Sequence, residues 1–203
     1  MPSKLLGKLK VKISSSKELE EQLIEKEPYL DKWLNLLPVL LNGIPYKIAG
    51  GYARDKYLGI PPKDIDVFIH YEKDLVKNIA GMLSNLGFSY ETFGDLEEGF
   101  TEQDANDYGA PIKNGVSNVI KIGGHVDLIF VQHSLTNVCK KFDYNLNQFE
   151  LNVMGKAIFK GKDFGILKVN NSKGISEQRA DKIEKKAEKL GWSVDAVEYD
   201  CDY

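Results

Sequence analysis

The sequence predicts an α+β protein. Some segments repeat apolar residues at helical spacing, whereas others are short apolar runs bounded by glycine and proline. The two kinds of segment follow one another without the regular strand–helix–strand spacing of a parallel sheet. With 203 residues, the chain is long enough for one domain, or for one domain and an appendage.

The first 43 residues are predicted to be a helical segment. Ser15 and Glu18 stand at the spacing of a capping box, which predicts a helix start. Apolar residues then recur at helical spacing between Trp33 and Leu40, which predicts a second helix. Core packing accounts for both apolar stripes.

A predicted strand at 46–49 runs into a pair of glycines, Gly50 and Gly51. Residues 52–58 have the pattern of a short helix, and the glycine and prolines of 59–62 predict a loop. A second strand is predicted at 64–69 because that segment is apolar and rich in β-branched residues.

The middle of the chain is predicted to contain a helix, a loop and a hairpin. Residues 75–86 carry a helical apolar stripe, and Gly87 is suited to end it. Residues 91–117 are acidic and aperiodic, which indicates a long surface loop. Residues 118–131 predict a hairpin with Gly123 and Gly124 as its two-residue turn.

Two further helices are predicted after the hairpin. One begins at Ser134 and ends near Phe142, and the other begins at Ser176 and stops at Gly191. The second carries a basic strip opposite its apolar stripe, formed by Lys182, Lys185, Lys186 and Lys189. A solvated face explains this strip because glutamates interleave with the lysines, and contact with an RNA backbone is the alternative.

Charge and cysteine content limit the protein's surroundings and partners. The formal net charge of −3 gives no overall basic field for nucleic acid, so any such surface is local. Cys139 and Cys201 are too few for a disulfide framework, which indicates a reducing, cytoplasmic compartment. No segment has the pattern of a signal peptide or a membrane span, so a soluble protein with no membrane partner is expected.

The glycine pair and the residue one turn later form a candidate phosphate-binding element. Gly50 and Gly51 allow close backbone approach to a phosphate, and a helix N-terminus favours anions. Arg54 would lie one turn into that helix, where a guanidinium suits phosphate oxygens. Taken alone, the glycines also fit a simple turn, and Arg54 fits a surface charge equally well.

Three aspartates form the second candidate element. Asp64 and Asp66 would share one face of a strand, where like charges repel unless a cation or donors compensate. Asp127 lies in the second strand of the predicted hairpin. If that strand lies beside 64–69, the three carboxylates converge, and their oxygens suit Mg²⁺, with Mn²⁺ as the alternative, against a nucleoside triphosphate.

Residues 50–69, GGYARDKYLGIPPKDIDVFI, resemble the signature of the DNA polymerase β-type nucleotidyltransferase superfamily. The resemblance is closest to the head domain of CCA-adding enzymes and poly(A) polymerases. It implies a polymerase β-like head with a mixed, mostly antiparallel sheet flanked by helices. It places that head at 44–170, a neck-like C-terminal helix at 171–192, and an acidic tail at 193–203.

The resemblance continues beyond the three aspartates. Residues 141–147, KFDYNLN, are similar to a nucleotide-holding segment of the family, which assigns nucleotide binding to Asp143 and Asn147. Arg179 matches the arginine of the family's neck motif, which assigns it to the incoming nucleotide. The acidic pair that precedes this arginine in the family is replaced here by Ile175 and Ser176, so the base preference is left open.

The resemblance also bears on partners. It covers roughly residues 44–192, and the tRNA-gripping helical body of the family has no counterpart in this sequence. A partner protein in place of that body, or a small acceptor, is therefore expected. The layout and the segment FDYNLNQF at 142–149 are also similar to small stand-alone nucleotidyltransferases of large tailed bacteriophages.

Together these patterns predict a metal-dependent nucleotidyltransferase that moves a nucleoside monophosphate from an NTP to an acceptor hydroxyl and releases pyrophosphate. In this hypothesis Asp64 and Asp66 bind the metal, and Asp127 binds it and helps to deprotonate the acceptor. An RNA or tRNA-like 3′ end is the acceptor that the resemblance implies. Alternatives are a protein or small-molecule hydroxyl, or a non-catalytic protein that binds nucleotide or RNA.

Overall fold

The computed structural model describes residues 29–94, 115–170 and 175–194. Several predictions lie outside these residues: the capping box of Ser15 and Glu18, the middle of the acidic loop, positions 171–174, and positions 195–203 with Cys201. Within the described ranges, no helix is both long and apolar enough to cross a membrane.

The described residues form four α-helices, nine strands and two 3₁₀ helices. The α-helices are α1 (Tyr29–Leu41), α2 (Gly51–Tyr57), α3 (Lys73–Asn85) and α4 (Glu177–Lys189). The first six strands are β1 (Tyr46–Ile48), β2 (Ile65–His70), β3 (Tyr90–Phe93), β4 (Val116–Ile122), β5 (Val126–Val131) and β6 (Phe149–Leu151). The remaining strands are β7 (Ala157–Phe159), β8 (Ile166–Leu167) and β9 (Ser193–Val194), and the 3₁₀ helices are Leu135–Lys141 and Asn145–Asn147.

The centre of the fold is a five-stranded sheet in the order β1-β2-β5-β4-β3. β2 and β5 are parallel, and the other neighbours in this sheet are antiparallel. Helices α1 and α3 pack against it. The predicted α+β class with a mixed, mostly antiparallel sheet is confirmed.

One face of the sheet is covered by α1 and α3. The amphipathic stripes of these helices place Trp33 and Leu37 of α1, and Ile79 and Leu83 of α3, in one core with the inward residues of β2, β4 and β5. Each of these side chains is almost completely buried. Burial of such a side chain contributes about 1.5–3 kcal/mol, so the two helices hold the sheet firmly from one side.

The opposite face of the sheet carries two things: a smaller apolar cluster and the candidate site. Phe68 of β2 and Ile129 of β5 pack here with Val138 and Cys139 of the first 3₁₀ helix. Ser134, as predicted, begins that helix, and its Oγ accepts a hydrogen bond from the backbone N–H of Thr136 at 3.4 Å.

The C-terminal helix belongs to a third apolar cluster. Ile183 and Ala187 of α4, with Trp192 beyond it, pack with Ala53 of α2 and Phe149 of β6. Helix α4 is therefore fixed to the short helix that follows the glycine pair. Beyond α4, β9 pairs with β8 in parallel, although the sequence assigned these last residues to the tail.

Three details of the chain differ from the sequence-based expectations. The predicted loop 91–117 is wrong at both ends, because β3 continues to Phe93 and β4 begins at Val116. The hairpin turn contains His125 as well as the two glycines, since Ile122 pairs with Val126. The strands β6 to β9 were not predicted because they have two or three residues each, too few to show a period.

Candidate active site

Two aspartates stand side by side in the centre of the sheet. Asp66 of β2 and Asp127 of β5 are direct partners in the parallel ladder, so their side chains leave the same face. The condition set by the sequence, that the strand of Asp127 lies beside β2, is met. On β4, Lys121 is the direct partner of Asp127. We call Asp66, Asp127 and Lys121 the carboxylate row.

Within the carboxylate row, Asp66 has a strongly raised pKa. Burial, followed by the negative charges of Asp64 and Asp127, raises the pKa of Asp66 from its ordinary 3.8 to about 7. Lys121 and Arg54 act in the opposite direction. An ionised Asp66 is therefore costly in this place, and a cation bound to the row would remove that cost.

Asp64 takes a different position from the other two aspartates. It precedes β2 by one residue and is exposed, although its charge reaches Asp66. Among residues 29–94, 115–170 and 175–194, no group of three or more histidine, cysteine, aspartate or glutamate residues is close enough together to hold a metal ion. The structure thus brings Asp66 and Asp127 together and leaves Asp64 at the start of the strand.

At Gly50 the backbone comes close to the row. Its φ of 85° and ψ of −137° lie in a region that is essentially reserved for glycine. A Cβ at this position would stand 3.1 Å from Oδ2 of Asp66 and 3.5 Å from the Phe142 ring. The N–H of Gly50 donates to the carbonyl of Phe149 at 2.8 Å, which fixes the turn to β6.

Arg54 lies beneath the glycine turn and is buried, with 4% of its surface exposed. Its Nε and Nη2 each lie 2.8 Å from Oδ1 of Asp55, and its Nη1 donates to Oδ1 of Asn147 at 2.8 Å. Nη2 also faces Gly51, 3.6 Å from where a Cβ would be. The predicted nucleotide-binding residues Gly51, Arg54 and Asn147 are thus neighbours, and the alternative of a surface charge for Arg54 is wrong.

Asp55 connects this cluster to the C-terminal helix. Its Oδ2 lies 3.5 Å from Nζ of Lys186 on α4, so the buried carboxylate has a positive partner on each side. Burial and the neighbouring Arg54 lower the pKa of Lys186, which Asp55 opposes. Lys186 therefore turns toward the site, unlike the fully solvated strip that the sequence favoured.

We expect the substitution Asp55→Asn to lower the free energy of unfolding by about 3 kcal/mol, because it leaves the buried Arg54 guanidinium without a counter-charge. Chemical denaturation measures this loss. The matched control is Asp181→Asn, which breaks the exposed pair of Asp181 with Lys185 on the same helix. That change should cost less than about 0.5 kcal/mol, and equal losses in the two variants would contradict the role of Asp55.

A second ion pair joins the segment after the first 3₁₀ helix to α4. Nε of Arg179 donates to Oδ2 of Asp143 at 2.8 Å, and Nη2 lies 3.3 Å from Oδ1. Ser176 is the N-cap of α4, since its Oγ accepts from the N–H of Arg179 at 3.2 Å. The structure brings Asp143 and Arg179 together, and it uses Ser176 to cap α4.

An ionic cluster flanks the site beyond β1. Glu150 of β6 accepts from Nζ of Lys47 at 2.7 Å, and Nζ of Lys160 lies 3.5 Å from its other oxygen. Although burial opposes it, Lys47 and Lys160 lower the pKa of Glu150. Burial and Glu150 raise the pKa of the Cys139 thiol to about 12, so Cys139 stays protonated at neutral pH and serves the core.

Sequence reasoning did not single out Lys121 or Asp55. Asp55 follows Arg54 directly in the sequence, but only the structure shows that its carboxylate is buried against the Arg54 guanidinium. Lys121 was missed because a two-residue turn would pair it with Val126 and point it away from Asp127. Counting the turn as Gly123 to His125 would have found it, since this register pairs Lys121 with Asp127.

No family model matches this chain, and a search of curated proteins finds no match. Solved structures do match. A tRNA-processing enzyme in an apo form has 17% identity and a TM-score of 0.52, over 85% of this chain and 45% of that one. A Thermotoga maritima CCA-adding enzyme complexed with tRNA has 14% identity and a TM-score of 0.52, over 87% and 42%. An apo CCA-adding enzyme has 15% identity and a TM-score of 0.51, over 89% of this chain and 42% of that one.

These likenesses identify the fold. The chain shares its fold with part of each of these structures, two of which are named as CCA-adding enzymes. It spans less than half the length of the structures it matches.

Proposed function

We propose that the protein is a metal-dependent nucleotidyltransferase. The observation that carries this proposal is the direct pairing of Asp66 with Asp127 beside the Gly50 turn. Two neighbouring carboxylates repel each other, and a divalent cation that is also bound to a triphosphate relieves the repulsion. A shared fold alone would not carry the assignment, because one fold hosts many activities.

The donor set fits a divalent ion such as Mg²⁺ or Mn²⁺. Asp66 and Asp127 would hold it, and both offer the hard oxygen atoms that these ions prefer. Asp64, exposed at the start of β2, would have to turn toward them to serve as a further ligand. When bound, the ion supplies charge neutralisation and orientation to the triphosphate. Asp127 would also accept the proton of the attacking acceptor hydroxyl.

The nucleotide would be held by the groups around the glycine turn. Gly50 and Gly51 have no side chain to keep a phosphate from the backbone, and Arg54 provides positive charge next to Gly51, with Nη2 3.6 Å from where a Cβ would be. Asn147 fixes the Arg54 guanidinium, and the pair of Arg179 with Asp143 lies at the junction with α4, where a base would lie. Attack on the α-phosphate then releases pyrophosphate, with positioning and electrostatics as the main sources of rate.

The acceptor in this proposal is an RNA 3′ end of the tRNA type. Two of the matched structures are named as CCA-adding enzymes and one as a tRNA-processing enzyme, which supports this class of acceptor. Base selection would differ from that family, because Ser176 caps α4 and offers no acidic group to a base. A protein or small-molecule hydroxyl is the alternative acceptor, with a partner protein supplying further contacts.

The proposal is tested by a matrix of the four NTPs against tRNA, protein and small-molecule pools, scored by mass shift. We expect addition of a nucleoside monophosphate to RNA, with pyrophosphate released in equal amount and only when Mg²⁺ or Mn²⁺ is present. Asp127→Asn is the inactive control. Transfer to a protein or a metabolite would refute the RNA acceptor and leave the nucleotidyltransferase activity in place. NTP binding without any transfer would identify a non-catalytic binding protein and refute the proposed enzymatic activity.

A further inference from the structure

Lys121 places a positive charge within the carboxylate row. The β4–β5 register makes it the direct partner of Asp127, and the β2–β5 register makes Asp127 the direct partner of Asp66. The three side chains therefore line up across adjacent strands on one face. Nζ of Lys121 lies 3.4 Å from Oδ2 of Asp127.

The surroundings of Lys121 let its ammonium move. Its side chain is 34% exposed, whereas that of Asp127 is 13% exposed, so the ammonium borders solvent and the carboxylate is largely buried. The ammonium also lies 5.8 Å from the centroid of the Phe93 ring, on edge strand β3. A lysine ammonium is a compact charge on a flexible four-carbon stem, so it can leave one oxygen for another nearby at little cost.

A divalent ion at the row would need the oxygen atoms that Lys121 now faces. The ammonium and the ion carry charge of the same sign, so they cannot both sit against Asp127 without repulsion. The incoming triphosphate, in contrast, brings negative oxygens to the same face. A cation released from Asp127 would therefore find a new partner within reach.

We propose that Lys121 is a tethered competitor of the divalent ion: it neutralises Asp127 in the empty site, yields that carboxylate to the ion, and then contacts the triphosphate. This inference rests on the proposed function and deepens it. Binding of the ion and binding of the nucleotide then depend on each other. The ion displaces Lys121 from Asp127, and the displaced ammonium becomes available to the triphosphate. A purely structural ion pair would have no such effect on ligand binding.

The test is the substitution Lys121→Met, with two binding measurements on the full chain. Mn²⁺ alone, followed by electron paramagnetic resonance, should bind about fivefold more tightly to the variant, because the ion no longer has to displace an ammonium from a partly exposed ion pair with Asp127. The α,β-methylene analogue of ATP, at saturating Mn²⁺, should bind about tenfold more weakly, because a charged hydrogen bond to phosphate is lost. These opposite shifts are the signature of the proposal.

Two further variants complete the test. Lys121→Arg keeps the charge and should restore Mn²⁺ affinity to that of the unsubstituted protein. Lys168→Met removes the same charge from an exposed pair with Asp163, and it should change neither affinity. If the methionine variant does not fold, Lys121→Gln takes its place.

The outcomes separate this inference from the function on which it rests. If Lys121→Met binds Mn²⁺ no more tightly than the unsubstituted protein, or binds the ATP analogue equally well, the competitor role is refuted and the proposed function stands. If the unsubstituted protein shows no saturable Mn²⁺ binding at all, both are refuted.

Discussion

Replacing Asp66 with asparagine is expected to abolish nucleotidyl transfer while making the metal-free protein more stable at pH 8. In the proposed function Asp66 is a metal-binding carboxylate, and loss of such a group removes several kcal/mol of transition-state stabilisation, so the rate should fall about 10³-fold or more. The gain in stability has a separate cause. The carboxyl of Asp66 has its pKa raised to about 7 in the folded protein, so its ionised form is disfavoured there.

The pH dependence follows from the direction of this shift. The unfolded chain ionises Asp66 near 3.8 and the folded protein near 7, so unfolding releases a proton between these pH values. The stability that the neutral carboxyl contributes is fully present below about pH 4 and is lost as the pH rises through 7. Asparagine stays neutral, so the variant should exceed the unsubstituted protein by up to about 4 kcal/mol at pH 8 and match it at pH 4.

Thermal melts in EDTA at pH 4 and pH 8 measure the difference. Added Mn²⁺ should raise the melting temperature of the unsubstituted protein at pH 8, because the ion stabilises the ionised carboxylate, and should have little effect on Asp66→Asn. The control is Asp74→Asn, at an exposed position in the first turn of α3. A variant as active as the unsubstituted protein would eliminate Asp66 from the reaction, and a difference independent of pH would contradict the electrostatic account.

The second large effect is expected at Gly50, where alanine should both destabilise the fold and prevent nucleotide binding. The φ and ψ of Gly50 cost a non-glycine residue about 1–3 kcal/mol. The new Cβ would also press on Oδ2 of Asp66 at 3.1 Å and on the Phe142 ring. Relief of that contact moves either the turn or the carboxylate, and both belong to the site.

Gly51→Ala is the matched control for Gly50→Ala, one residue away in the same turn. Gly51 has no positive φ, and a Cβ there would make an ordinary contact of 3.6 Å with Nη2 of Arg54. The Gly51→Ala variant should therefore be as stable as the unsubstituted protein or slightly more stable, since alanine is favoured over glycine in a helix by about 0.5–1 kcal/mol. Chemical denaturation and ATP-analogue binding distinguish the two variants, and equal loss of stability in both would refute the special conformation of Gly50.

Much of the fold could be predicted because it depends on local patterns. The helical stripes of α1, α3 and α4 and the strand patterns of β1, β2 and β5 repeat within a few residues of sequence, so periodicity reveals them. Gly87 ends α3 with a φ of 73°, as its position indicated. The edge strand β3 escaped this reasoning, because its four residues show no clear alternation and pairing with β4 holds them in place.

Most residues of the candidate site could also be identified from the sequence, but the contacts between them could not. The glycine pair and the three aspartates stand out by residue type and spacing alone. Arg54 is buried between Asp55 and Asn147, and Asn147 is 93 positions away in the sequence. Lys186 approaches Asp55 across a still longer separation. Such contacts follow from packing of the whole chain and leave no trace in a local pattern.

The sequence by itself determined the chemical groups of this protein: the aspartates, the glycine pair with its conformational freedom, and the segments that form a sheet and its helices. Only the tertiary structure decided which of those groups meet. It paired Asp66 with Asp127 across a parallel ladder, and a three-residue turn set Lys121 beside them instead of on the opposite face. The physical reason is that side-chain direction alternates along a strand, so one residue in a turn, or the choice of a distant neighbour, changes the entire face.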